Sequence, residues 1–151
     1  MVHSISQAAK KMNLSTYTLR YYDKEGLLPM IERSNNGVRV FKEEDLEWLR
    51  LIHCLKASGM PIKEIKQFLD WQQEGNSTLE KRRNLFYQRK AIIEQQIADL
   101  EKTLNSVKYK CWFYDTAVAA GSAEAPSRMP KEEIPSEIRK AMANSNLFPA
   151  E

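Results

Sequence analysis

Apolar residues recur at helical spacing through most of this chain. Ser4 precedes "ISQAAKKM", where Ile5, Ala8, Ala9 and Met12 share one face, so a short serine-capped amphipathic helix is predicted. Asn13 and Leu14 interrupt the pattern. Ser15 then caps "TYTLRYYDKE", a second helix predicted to stop at Gly26, because glycine tolerates the left-handed turn that ends helices. Two short helices joined by a tight turn make a helix-turn-helix.

Next, "MIER" and "VRVF" flank "SNNG", and Asn36-Gly37 suits the positive backbone angles of a hairpin turn, so a small two-stranded wing is expected. Such a ribbon is marginal alone and must lean on the helices. "KEEDLEWLRLIHCLKASG" has acidic residues in its first turn, an apolar stripe including Leu46, Trp48, Leu49, Ile52 and Leu55, and a stop at Gly59. Pro61 opens a fourth helix with Ile62, Ile65, Phe68 and Leu69 turned inward. Residues 1–75 are thus expected to form one small domain.

From Thr78 to about Tyr114 there is neither proline nor glycine. Leu79, Phe86, Ile93, Leu100, Val107 and Tyr114 fall seven apart, with Ile97, Leu104 and Cys111 between them, while Arg83 and Lys90 break the second set early. One helix over residues 76–115 would be about 55 Å long at 1.5 Å per residue, too long to pack unaided on a small globule. A second helix is expected against it, with Ile93, Ile97, Leu100, Leu104 and Val107 at the dimer seam; the alternative is a lone charged helix. Residues 116–151 carry Pro126, Pro130, Pro135 and Pro149 and read as a mostly irregular tail, with a short helix over 136–144. The predicted fold class is mainly α: a winged helix-turn-helix followed by a long coiled-coil dimerisation helix.

Composition changes this picture little. The net charge is +3 over 151 residues, with residues 1–60 carrying 9 basic and 7 acidic groups. Bulk charge therefore makes a weak case for nucleic acid, and local placement has to make it. Cys54 and Cys111 stand apart with no CxxC spacing, which argues against a disulfide framework or zinc knuckle. No apolar run reaches membrane-spanning length and the start lacks a signal-peptide core, so a cytoplasmic protein without membrane association is expected.

The candidate chemistry lies in "LSTYTLRYYDKEGLL". With Ser15 at the cap, Thr16, Tyr17 and Arg20 share the exposed start of the second helix, while Leu19 and one of Tyr21 or Tyr22 turn inward. Such a helix start can enter a major groove and donate to phosphates and base edges, with a tyrosine hydroxyl (Tyr21) beside it. The competing arrangement pairs Arg20 with Asp23 or Glu25 and buries the tyrosines. Arg33 and Arg39 on the wing would add phosphate or minor-groove contacts, and Lys56 beside the "SGMP" turn a second, smaller wing.

"SISQAAKKMNLSTYTLRYYDKEGLL" followed by "RVFKEEDLEWLRLIHCLKASGMPIKEI" resembles the MerR family of bacterial transcription regulators over about the first seventy residues plus the long helix. The motif R-x-F-x-x-x-D falls on Arg39, Phe41 and Asp45, where a tyrosine is commoner in place of Phe41. The resemblance implies a homodimer joined through an antiparallel coiled coil, bound to a palindromic operator in promoter DNA with an overlong spacer. It also implies that the activated dimer bends and untwists this DNA so that RNA polymerase engages both promoter elements, an indirect readout in which protein contacts offset a deformation of a few kcal/mol.

The inducer is less legible. Metal-sensing relatives place cysteines at both ends of the long helix; here residue 79 is Leu and only Cys111 lies near the far end, so no metal site and no cofactor are expected. Cys54, beside His53 and before Lys56, resembles the single cysteine of the aldehyde- and electrophile-responsive NmlR/AdhR-like branch, which implies a thiolate sensor. The alternative is inert core packing between Leu51 and Leu55. Cys111, Trp112 and Tyr114 are either core filler or the wall of a pocket for a small aromatic inducer. With two histidines, no paired acid-base spacing and no glycine-rich phosphate loop, the chain does not read as an enzyme. A passive architectural DNA binder is the remaining alternative.

Overall fold

Two serine caps start the chain's first helices. In the computed structural model, which describes residues 1–148, α1 (Ile5–Met12) follows Ser4, whose Oγ accepts from Gln7 N at 3.3 Å while Gln7 Oε1 accepts from Ser4 N at 2.8 Å. This reciprocal pair satisfies two amides that helix geometry leaves without carbonyl partners. Asn13 takes the left-handed conformation (φ 53°) and stops α1. α2 (Thr16–Lys24) starts at Ser15, whose Oγ accepts from Thr18 N at 3.0 Å, and the chain leaves it through Gly26 at φ 74°.

The wing is part of a larger sheet than its sequence suggests. β1 (Val2–Ser4), β2 (Glu32–Arg33) and β3 (Arg39–Lys42) form a three-stranded antiparallel sheet in the order β1-β3-β2, with His3 opposite Phe41 and Glu32 opposite Val40. The N-terminal strand supplies the support that an isolated ribbon lacks. At the hairpin tip Gly37 N donates to Ser34 O at 2.8 Å, and of Asn36 and Gly37 only the glycine has positive φ (74°). The tip is therefore closed by one left-handed residue instead of two.

α3 (Glu43–Ala57) and α4 (Ile62–Glu74) complete the core, in which Ala8, Leu19, Phe41, Leu46, Leu49 and Ile65 are wholly buried. Alanines at the α1 contact let that helix approach α2 and α3 closely. The chain divides into two compact units, Met1–Arg89 and Lys90 onward. The division falls inside α5 (Leu79–Ala120), not at residue 75, because the first turns of α5 pack on α4: Phe68 and Phe86 meet edge to face at 5.4 Å, and Arg89 Nη2 donates to Glu64 Oε2 at 3.1 Å.

In the second unit α5 continues past Asp115 to Ala120 before Gly121 (φ 68°) ends it. The residues after it are more ordered than their prolines suggest. They form α6 (Ala125–Arg128), a 3-10 turn over Lys131–Glu133 and α7 (Ser136–Ala143), burying Pro126, Ile134 and Ala141. Asn105 Nδ2 donates to Asn144 O at 3.2 Å and Phe148 packs on Tyr109 at 5.1 Å, so the segment folds back along α5. Pro149, the last proline assigned to the tail, lies outside the described residues. Among the described residues no helix is long and apolar enough to cross a membrane.

The strand added at the N-terminus also builds a charged junction. Glu43, at the start of α3, accepts from Lys11 Nζ at 2.7 Å and lies 2.7 Å from Nε2 of the buried His3. The same Nε2 lies 3.2 Å from Lys11 Nζ, so the three groups form one cluster. The lysine first and the histidine second hold the Glu43 carboxyl at about 2, against an ordinary 4.5. Because the folded pKa is depressed, the unfolded chain binds more protons in between. The contribution is complete above pH 4.5 and fades as pH falls toward 2. Urea unfolding over that window should show the midpoint of the wild type falling more steeply with acid than that of Glu43→Gln.

Candidate nucleic-acid interface

α2 presents its first turn outward. Tyr17 is 78% exposed and Arg20, one turn on, is exposed beside it, while Leu19 and Tyr22 on the opposite side are buried. Arg20 forms no ion pair among the described residues with either acid it was weighed against: Asp23 is taken by the wing arginines, and Glu25 does not pair with it. Thr16 and Tyr21 are half-buried, and Ser15 Oγ is committed to Thr18. The ambiguity between the two neighbouring tyrosines resolves toward Tyr22 as core. Its hydroxyl lies 3.4 Å from His53 Nδ1, and burial, with a smaller push from Tyr21, raises its pKa.

Asp23 organises the cations of the wing. Arg39 donates both Nε (2.6 Å) and Nη2 to Asp23 Oδ2, and Arg33 Nη2 stands 3.8 Å from the same oxygen while its Nη1 donates to Gly37 O at 3.2 Å. Arg39 is thereby turned inward and only half available to a ligand, whereas Arg33 stays exposed. Two guanidinium groups on one carboxylate leave a net positive charge between α2 and the wing, and Arg20 adds to it. Sequence reasoning treated Asp23 only as a partner for Arg20; the signal that could have found its role is its place at the end of "LRYYD", one helical turn beyond Arg20. Lys56 is half-buried near the end of α3.

Residues 3–72 match the profile of the MerR HTH family regulatory proteins, and residues 46–108 match a profile described as MerR, DNA binding. An uncharacterised HTH-type transcriptional regulator of Haemophilus influenzae is 44% identical over 83% of this chain and 93% of its own length. The chain belongs to the MerR family. AdhR of Bacillus subtilis is 36% identical over 60% of this chain and 66% of its own length. The crystal structure of HiNmlR, a MerR family regulator lacking the sensor domain, bound to promoter DNA, is 43% identical with a TM-score of 0.79, covering 86% of this chain and 98% of that one. A MerR family regulator from Bacillus thuringiensis follows at 46% identity and a TM-score of 0.68, over 74% and 97% of the two chains. The NmlR-like branch is thereby supported.

As a MerR-family chain, it places its other candidate residues as follows. Cys54 is exposed on α3, while Ile52 and Leu55 take the core positions, so the core-packing alternative does not hold. On α5, Ile97, Leu100, Leu104 and Val107 are half or more exposed and Ile93 is half-buried. Cys111 and Trp112 line a groove of about 720 Å³ beside Ile138 and Ala141 of α7. Tyr114 does not join them there; with Cys111 it lines a separate, shallower hollow. Among the described residues no cluster of His, Cys, Asp or Glu could hold a metal ion.

The two arginines should therefore respond differently to truncation. Arg39→Ala leaves the half-buried Asp23 only the more distant Arg33 and should cost about 1–3 kcal/mol in urea unfolding, whereas Arg20→Ala should leave the midpoint unchanged.

Proposed function

We propose that this MerR-family regulator binds palindromic duplex promoter DNA in the cytoplasm as a homodimer and activates transcription by bending and untwisting it for RNA polymerase. The observation that carries the reading is the outward start of α2. There Tyr17 and Arg20 stand exposed without internal partners among the described residues, beside a wing whose Arg33 projects a cation. A helix start of this kind donates to phosphates and base edges in the major groove, and the wing cation fits an adjacent phosphate. That HiNmlR was crystallised on promoter DNA supports the same docking here.

The exposed row Ile97, Leu100, Leu104 and Val107 supplies the dimer seam, joined antiparallel to a second copy. Two helix-turn-helix lobes held at fixed spacing read a two-fold site, and contact with both half-sites offsets the distortion between them. The chain acts by binding, with no catalysis and no cofactor. Footprinting on inverted-repeat promoter fragments should give a two-fold protected region with a hyper-reactive centre; an undistorted centre would mark a passive binder instead. Arg20→Ala should weaken binding and flatten its dependence on salt concentration by about one counterion per half-site.

Cys54 is the sensor in this reading. Its exposure on α3 gives aldehydes and other electrophiles access to the thiol. Addition there alters how the DNA-binding lobe sits on its dimer helix. In cells challenged with an aldehyde, Cys54→Ser should abolish induction of the target promoter without changing operator affinity; full induction in the variant would end this reading. The groove at Cys111 and Trp112 favours a second one, in which a small aromatic ligand between α5 and α7 is the inducer.

A further inference from the structure

Within the first unit, the segment that leaves α2 arches over a cavity of about 240 Å³. Leu27, Leu28 and Ile31 form one wall, Trp48 of α3 and Leu69 of α4 the other, and Met30 the rim. The lining is mostly apolar, with the amides Gln72 and Gln73 and one ionisable side chain, Asp45.

Asp45 is 8% exposed, and its Oδ2 accepts from Lys42 N at 2.7 Å, which caps α3. Oδ1 has no hydrogen-bond partner among the described residues, and Asp45 is one of the residues that line the cavity. A carboxylate oxygen without a protein donor is an acceptor for a donor placed beside it. No lysine or arginine lines the space, although the Lys42 ammonium group lies within Coulombic reach of Asp45. Across Trp48, Glu44 and Glu47 line a neighbouring hollow, so the surroundings add negative charge against the positive end of α3.

We propose that this cavity binds small aryl-alkylammonium ions, with the ring between Trp48 and the leucines and the ammonium group on Asp45 Oδ1. An apolar cavity of about 150 Å³ is enough for benzene, so the larger volume here leaves room for a ring, a two-carbon arm and a head group. The aromatic face of Trp48 and a buried acceptor select a cation over an anion or a plain hydrocarbon. Because Ile31 leads directly into β2, such a ligand sits at the root of the wing. This assignment does not depend on how the protein acts on DNA.

The test uses the full-length protein without DNA, with phenethylamine as probe and 2-phenylethanol as its neutral counterpart. The indole N–H resonances of Trp48, Trp71 and Trp112 are followed by NMR and assigned by Trp48→Phe. Phenethylamine should shift the Trp48 resonance saturably and leave that of Trp112 in place. Asp45→Asn keeps the acceptor for Lys42 N and should weaken phenethylamine roughly tenfold while changing 2-phenylethanol by less than about twofold. Met30→Lys, at an exposed rim position, should abolish amine binding by placing a tethered cation at the mouth. An unmoved Trp48 resonance, or equal affinities of wild type and Asp45→Asn for the amine, overturns the proposal. So does a Trp48 resonance that responds to protein dilution and not to the amine, since the cavity would then hold a second copy of the chain.

Discussion

The candidate interface depends on one carboxylate. Asp23 sits at the end of α2 and takes Arg39 through two nitrogens of its guanidinium group, with Arg33 close behind, so the wing cannot swing free of the helix that carries Tyr17 and Arg20. Both members of the Asp23–Arg39 pair are largely buried, at 21% and 27% side-chain exposure. At that burial the attraction between them is strong and desolvation offsets much of it, so the pair adds little net stability. What it supplies is geometry. An alanine in either place would leave a partly buried charge unanswered, which is why the junction holds one arrangement.

A second constraint acts on α5. The helix has 42 residues, and in its second half it must satisfy two apolar demands at once. Leu100, Leu104, Val107 and Ile97 form one stripe, exposed to between 50% and 67%, while Asn105, Tyr109 and Trp112 face the returning segment with α7. At 3.6 residues per turn the two faces lie about 120° apart, so α7 covers one flank and leaves the other bare. The stripe is not wholly apart from the tail, since Leu104 and Val107 line one groove with Ile138 and Ala141. Cys111, seven residues beyond Leu104, lies on the exposed stripe and borders both hollows.

Much of this was legible in the chain because the signals are local. Serine at positions 4 and 15, glycine at 26 and 59, and the inward set Leu46, Leu49, Ile52 and Leu55 each state a boundary or a buried face within one or two turns. What escaped depends on residues distant in sequence. β1 has three residues and no alternation to read; it is a strand because β3 pairs with it from some forty residues away. The ordered tail is similar: its prolines break the helical pattern, yet Pro126, Ile134 and Ala141 are buried. Arg39 reads as a wing cation in sequence, and only the fold turns it toward Asp23.

Cys54 illustrates the limit of periodicity more sharply. Its place between Leu51 and Leu55 put it near the apolar stripe of α3, but each residue turns the helix by about 100°, and Leu55 takes the core while Cys54 faces out. A thiol in that position is not part of the buried core. Its chemistry and its structural role are therefore separable, unlike those of Tyr22, whose ring fills the core and whose hydroxyl reaches His53, the residue just before Cys54. That one-residue offset matters physically: His53 is anchored through α2 while Cys54 is not, so a modification at Cys54 adjoins a residue already tied to the helix of the candidate interface.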